Sequence, residues 1–124
     1  MSWWVARYGP AAVTRFQSEL GQAATNFTVG STLLFENDRV RIWDITLAPG
    51  ERLPFHRHRT SYFYRSHAEG LLRVRFPDGT ESVYPTAVDE LHFHEIGDDD
   101  LVIHDLENAG ETTVSFTTVE LVRA

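Results

Sequence analysis

From Thr32 onward, short runs rich in β-branched, aromatic and aliphatic residues alternate with clusters of turn formers. The runs predict strands over residues 32–36, 39–47, 52–58, 62–67, 71–76, 81–85, 90–94, 101–106 and 112–122. Asn37-Asp38, Ala48-Pro49-Gly50, Pro77-Asp78-Gly79, Gly97 to Asp100 and Asn108-Ala109-Gly110 separate them, and each supplies turn chemistry. The last run alternates cleanly: Val114, Phe116 and Thr118 take one face, Ser115 and Thr117 the other. Many short strands with a turn every ten residues or so predict a sandwich or barrel rather than a doubly wound sheet. The first thirty residues read differently. After the Gly9-Pro10 turn, Val13, Phe16 and Leu20 fall at helical spacing and Gly21 is a stop, so one short helix is expected around residues 10–20. Trp3 and Trp4 precede it and read as an arm that packs on the main body or on a second subunit. The fold class is therefore all-β: an arm with a short helix over 1–30, then one β domain over 31–124.

Composition narrows the chemistry. The 124 residues and 14.2 kDa suit a single domain, and 42% hydrophobic with 23% charged residues is a globular balance. There is no cysteine, which removes disulfides, thiolate metal sites and cysteine nucleophiles. A formal charge of −7 with dispersed arginines argues against a nucleic-acid partner. No apolar run reaches the ~20 residues of a membrane span, and the opening residues lack a signal-peptide pattern, so a cytoplasmic protein without a membrane partner is expected. No Gly-x-Ser-x-Gly elbow or phosphate-binding Gly-rich loop is present.

The histidines carry the candidate chemistry. Four of the six come as His-x-His pairs, His56 with His58 and His92 with His94, and His104 follows on a later strand. Residues two apart on a strand point to one side, so each pair can aim two imidazoles at one ion. In the 90–94 run Leu91 and Phe93 form the apolar side, which would ordinarily face the core and leave the histidines outside. A polar pocket would instead draw His92, His94 or both inward. Arg57 and Arg59 fall on the face opposite His56 and His58; His67 reads as structural or exposed, and Tyr62 and Tyr64 mainly as packing.

Pro49-Gly50-x5-His56-x-His58-x4-Phe63-x6-Gly70 resembles the first motif of the cupin family, and His104-Asp105-Leu106-Glu107-Asn108 resembles the end of its second. The resemblance runs from about Leu34 to Leu121. The stretch from Phe35 to Trp43 looks particularly like small bacterial cupins grouped with β-alanine-degradation proteins. It implies a double-stranded β-helix (jelly-roll) barrel and a homodimer, cupins commonly pairing through edge strands. Three positions depart from the pattern. Phe63 stands at the usual metal-binding Glu, and Val88, followed by Asp89, at the second-motif glycine. A longer acidic loop, Asp98 to Asp100, read as a solvated turn, replaces Pro-x-Gly-x-x-His.

Without the Glu, the resemblance leaves His56, His58 and His104 as ligands of a divalent transition metal, iron first, with Zn, Ni, Mn or Cu as options. It implies a small organic acid or diketone-like substrate and a dioxygenase-like reaction, with His92 and Tyr64 as candidate catalytic groups. Metal-dependent isomerase, lyase or cyclase chemistry, acid–base work by the histidines without a metal, and a non-catalytic ligand-binding barrel with a degenerate site are the alternatives.

Overall fold

A computed structural model describes residues 16–122. The expected arm and the first part of the expected helix lie outside them. Residues 16–20 are helical, and the chain turns at Gly21, whose N–H reaches the Gln17 carbonyl at 3.2 Å. A 3-10 turn, Ala23–Thr25, follows.

Nine strands come next: β1 (Thr32–Glu36), β2 (Val40–Leu47), β3 (Arg52–His58), β4 (Tyr62–Ser66), β5 (Gly70–Arg75), β6 (Glu81–Thr86), β7 (Leu91–His94), β8 (Val102–Asn108) and β9 (Val114–Leu121). Each falls on a run expected from the sequence, β1 and β3 with the same bounds and the others with ends shifted by at most two residues. They form two antiparallel sheets, ordered β1-β2-β9-β4-β7 and β3-β8-β5-β6. The inner faces meet in a core of Ile45, Leu47, Val114 and Phe116 from one sheet and Leu53 and Leu72 from the other. Alternation along β9 is complete: Val114, Phe116, Thr118 and Glu120 are buried and the residues between them are not.

The outer face of the four-stranded sheet is covered by the N-terminal segment. Leu20 and Ala23 pack on Phe55 and Ile103, with Phe16 against them. A charged layer accompanies this contact. Arg52 holds the Glu19 carboxylate with two bonds of 2.7 Å and also donates to Asp105. Asp105, fully buried, accepts from the backbone and the guanidinium of Arg75 as well. Glu19 is held below the ordinary carboxylate range by Arg52 and the Phe55 N–H, against the opposing effect of burial. Three turn positions among the described residues take positive φ, Gly50 at 83°, Gly79 at 92° and Asp89 at 68°, the last a residue type that tolerates it. Gly70 is required for a different reason: a Cβ there would lie 2.3 Å from Val114 Cγ1.

Candidate metal centre

His56, His58 and His104 converge inside the barrel. β3 and β8 pair in antiparallel register with His56 directly opposite His104, and the His-x-His spacing brings His58 to the same side. His58 Nε2 lies 3.2 Å from His56 Nε2 and 2.8 Å from His104 Nε2, and one ligand atom from each residue falls within 4.8 Å of the others. His56 and His58 are buried, while His104 keeps a partly accessible edge.

A register break in β3 makes this possible. Leu53 points into the core, and simple alternation would turn His56 and His58 the other way. The irregularity between Leu53 and His56 inserts one residue, so that Phe55 packs outward under the N-terminal segment and both histidines turn inward. Pro54, which has no N–H to give to the ladder, sits in the break. Its carbonyl lies 2.8 Å from His56 Nδ1. A carbonyl only accepts, so His56 carries its proton on Nδ1 and presents the Nε2 lone pair to the cluster.

The three rings are neutral. Burial depresses the basicity of His56; burial and then the neighbouring imidazoles depress His58 and His104, the latter down to about 3. Three uncharged imidazoles with Nε2 atoms facing one point are a donor set suited to a divalent transition metal. His58 Nδ1 is buried with no hydrogen-bond partner among the described residues. These residues fit such an ion.

The histidines stand at one wall of a narrow cavity of about 50 Å³. Its other walls are Val29, Ile45, Leu53, Leu72, Leu106 and Phe116, with Tyr62, Tyr64, Tyr84 and Thr118. Among the described residues no Asp, Glu, Lys or Arg lines it. Tyr62 stacks on His58 at 4.0 Å between ring centres, and burial pushes both Tyr62 and Tyr64 above the ordinary phenol range. Tyr64 also hydrogen-bonds Tyr84.

Two expectations are corrected here. Leu91 and Phe93 do not face the core; they are exposed at 62% and 60%. β7 pairs with β4 so that His94 lies opposite Tyr62 and His92 opposite Tyr64; His94 stacks on Tyr62 at 4.9 Å and His92 lies tilted against Tyr64 at 5.1 Å. Likewise the inward residues of β4 are Tyr62 and Tyr64, while Phe63 points the other way. The aromatic ring on the cluster side of the missing-Glu region is thus Tyr62.

His92 does not itself line the cavity. It packs on Tyr64 and shares a 2.6 Å hydrogen bond with Glu90, which holds that carboxyl below its ordinary range. Tyr84 and Glu90 escaped the sequence reading. The Tyr-x-Tyr of β4 set against the His-x-His of β7 was the signal available. His67 is exposed and shares a bond with Thr117 Oγ1 at 2.7 Å. Arg59 lies over the Phe27 ring, away from the cluster. Asn108, at the end of the second motif, is buried and organises a turn: its amide donates to the Leu47 and Thr112 carbonyls and its oxygen accepts from Gly110 N–H. Asp100 closes the acidic loop on Gly97 N–H at 2.7 Å and stays exposed, as a solvated turn does.

Comparison with solved structures agrees on the architecture. A cupin domain from Bordetella pertussis matches with TM-score 0.65 at 22% identity, covering 75% of this chain and 91% of that one. A cupin superfamily protein from Desulfitobacterium hafniense matches at TM-score 0.54 and 17% identity, covering 74% and 75%. An RmlC-like cupin with a double-stranded β-helix fold from Methanocaldococcus jannaschii matches at 0.52 and 15%, covering 76% and 92%. At such identities the likeness establishes the fold alone. No curated protein matches the sequence. A family model described as auxin binding protein matches residues 13–117, a description different from the β-alanine-degradation grouping. That match takes in both histidine motifs and nearly the whole double-stranded β-helix, and the chain therefore belongs to the auxin binding protein family, as a small cupin.

Proposed function

We propose that this chain holds one divalent transition metal, iron by first choice, through His56, His58 and His104, and acts on a small organic acid or diketone-like substrate in a dioxygenase-type reaction. The observation that carries the reading is the convergence of three buried, neutral imidazoles on one point, with the Pro54 carbonyl fixing the tautomer of His56. When bound, the ion supplies Lewis-acid polarisation and, if redox-active, one-electron chemistry.

The protein's own part is binding, orientation and proton handling. The apolar walls exclude water and sharpen every electrostatic interaction inside. Because none of the described residues lining the cavity is charged, a substrate anion finds its countercharge at the ion held by the histidine cluster, which favours a small chelating acid over a larger ionic compound. Tyr64, kept protonated by its surroundings, donates a hydrogen bond to a substrate oxygen. His92, whose Nε2 proton is held by Glu90 and whose ring packs on Tyr64 outside the cavity lining, keeps Nδ1 to accept and return a proton.

A binding-only reading is favoured by one observation, the description of the matched family as auxin binding protein. Elemental analysis of untagged protein, followed by an oxygen electrode with a panel of diketones, thiols and keto acids, separates the readings. The proposal expects about one metal per chain, lost in His56→Ala with the fold retained, and metal-dependent oxygen uptake. Turnover without oxygen uptake would move the assignment to Lewis-acid isomerase or lyase chemistry. Ligand-dependent stabilisation without turnover would leave a binding protein. Full metal occupancy in His56→Ala would refute the site.

A further inference from the structure

The candidate ligands are not all held by the same means. His56 is fixed by the Pro54 carbonyl, 2.8 Å from its Nδ1. His58 Nδ1 is buried and has no hydrogen-bond partner among the described residues. Rotation of an imidazole about its Cβ–Cγ bond is soft, and a metal-binding histidine is ordinarily fixed by a hydrogen bond at its second nitrogen. At His58 an aromatic face stands in for that bond. The Tyr62 ring lies nearly parallel to the imidazole, with 4.0 Å between centres and 12° between planes. Turning His58 about Cβ–Cγ would drive an edge of the imidazole into the tyrosine ring, since flat rings at this separation are already in van der Waals contact.

Tyr62 is itself firmly placed. His58 ends β3 and Tyr62 begins β4, so only Arg59, Thr60 and Ser61 separate them. That corner is pinned at Ser61, whose carbonyl accepts from Leu121 N–H at 2.8 Å and whose hydroxyl accepts from Ile96 N–H at 3.0 Å. Tyr62 is buried and flanked in register by Glu120 of β9 and His94 of β7. His94 stacks on it in turn, at 4.9 Å and 16°. His58, Tyr62 and His94 thus form one stack that runs from the cluster to the edge strand β7.

We infer that Tyr62 is a positioning residue, whose ring face rather than its hydroxyl holds the His58 imidazole with Nε2 turned toward the other two histidines. This rests on the three-histidine metal reading proposed above and adds to it the group that orients one ligand. The arrangement requires a flat ring at position 62 and does not require the phenol oxygen.

Equilibrium titration of the full chain with Co²⁺ against a competing chelator tests this. Tyr62→Phe keeps the ring and should bind within about threefold of the unsubstituted protein, with the same visible absorption bands. Tyr62→Leu and Tyr62→Met keep much of the apolar volume without a flat face. They should bind at least about tenfold more weakly, as on losing a group that orients a metal ligand, and with broadened bands. Urea melts identify the variants that are fully folded during titration; lowered stability does not by itself change the affinity of molecules that stay folded. Unchanged affinity in a folded aliphatic variant overturns the inference. So does a Tyr62→Phe protein as weak as Tyr62→Leu, which would make the hydroxyl the operative group. Failure of both aliphatic variants to fold also overturns it, the ring then being required by the core and not by the ligand. An unsubstituted protein that binds no Co²⁺ removes the metal reading and this inference with it. A bound ion indifferent to position 62 removes only the latter.

Discussion

Metal-free protein should lose stability steeply between pH 7 and pH 5, because the fold buries three imidazoles in neutral form. In the unfolded chain histidine titrates near 6.5; in the fold His104 is pushed down to about 3, and His56 and His58 are lowered by the same burial. Above pH 6.5 neither state takes up a proton at these rings. Below it the unfolded chain binds protons that the folded one refuses, so stability falls as pH falls, until His104 itself protonates near pH 3. The slope is about 1.4 kcal/mol per pH unit for each ring. Going from pH 7 to pH 5 then costs about 2 kcal/mol for His104, and His56 and His58, lowered in the same direction, add to the loss. Carboxylates confuse this window little. Glu19, for example, is lowered from 4.5, so its contribution is present above that value and is lost only in more acid solution. Urea melts at half-unit pH intervals in the presence of a chelator measure the slope. His104→Gln should reduce it by about a third. A slope below that of a single histidine would refute the claim that the cluster is buried and neutral.

Other consequences are simpler to test. A divalent ion at one hundred times its Kd should stabilise the protein by about 2.7 kcal/mol in thermal or urea melts, and should not do so in His56→Ala. Asp105→Ala removes the buried acceptor shared by Arg52 and Arg75 and should cost about 3–5 kcal/mol in the same melts. Gly70→Ala forces a methyl into Val114 and should cost about 1–3 kcal/mol by strain, measured by urea denaturation at pH 7, with little change at Gly21, where an added Cβ meets its nearest atom at an ordinary 3.5 Å.

The strands were legible because their signal is local. Turn clusters such as Pro77-Asp78-Gly79 punctuate the chain, and the alternation of Val114, Phe116 and Thr118 with Ser115 and Thr117 in β9 matches their burial. The helix is legible only in part, since the described residues begin at Phe16, inside its expected span; there, Leu20 packs as the spacing required. The metal candidates were legible for a chemical reason: His-x-His on a strand keeps both rings on one side whichever side that is.

What alternation does not contain is parity, the choice of which side faces in. β7 has Leu and Phe on one side and two histidines on the other, and hydrophobicity alone favours burying the former. Pairing with β4 decides otherwise, because β4 is fixed in turn by β9, whose Thr118 and Glu120 point inward opposite Tyr64 and Tyr62. In β3 the one-residue irregularity after Leu53 reverses the facing of everything that follows. The amino-acid sequence by itself thus determined the strands, their turns and the residue types able to bind a metal, all properties of neighbours along the chain. Only the tertiary structure decided which ring lies beside which and which apolar row is left outside, because strand register is a long-range property and a shift of one residue exchanges the two faces.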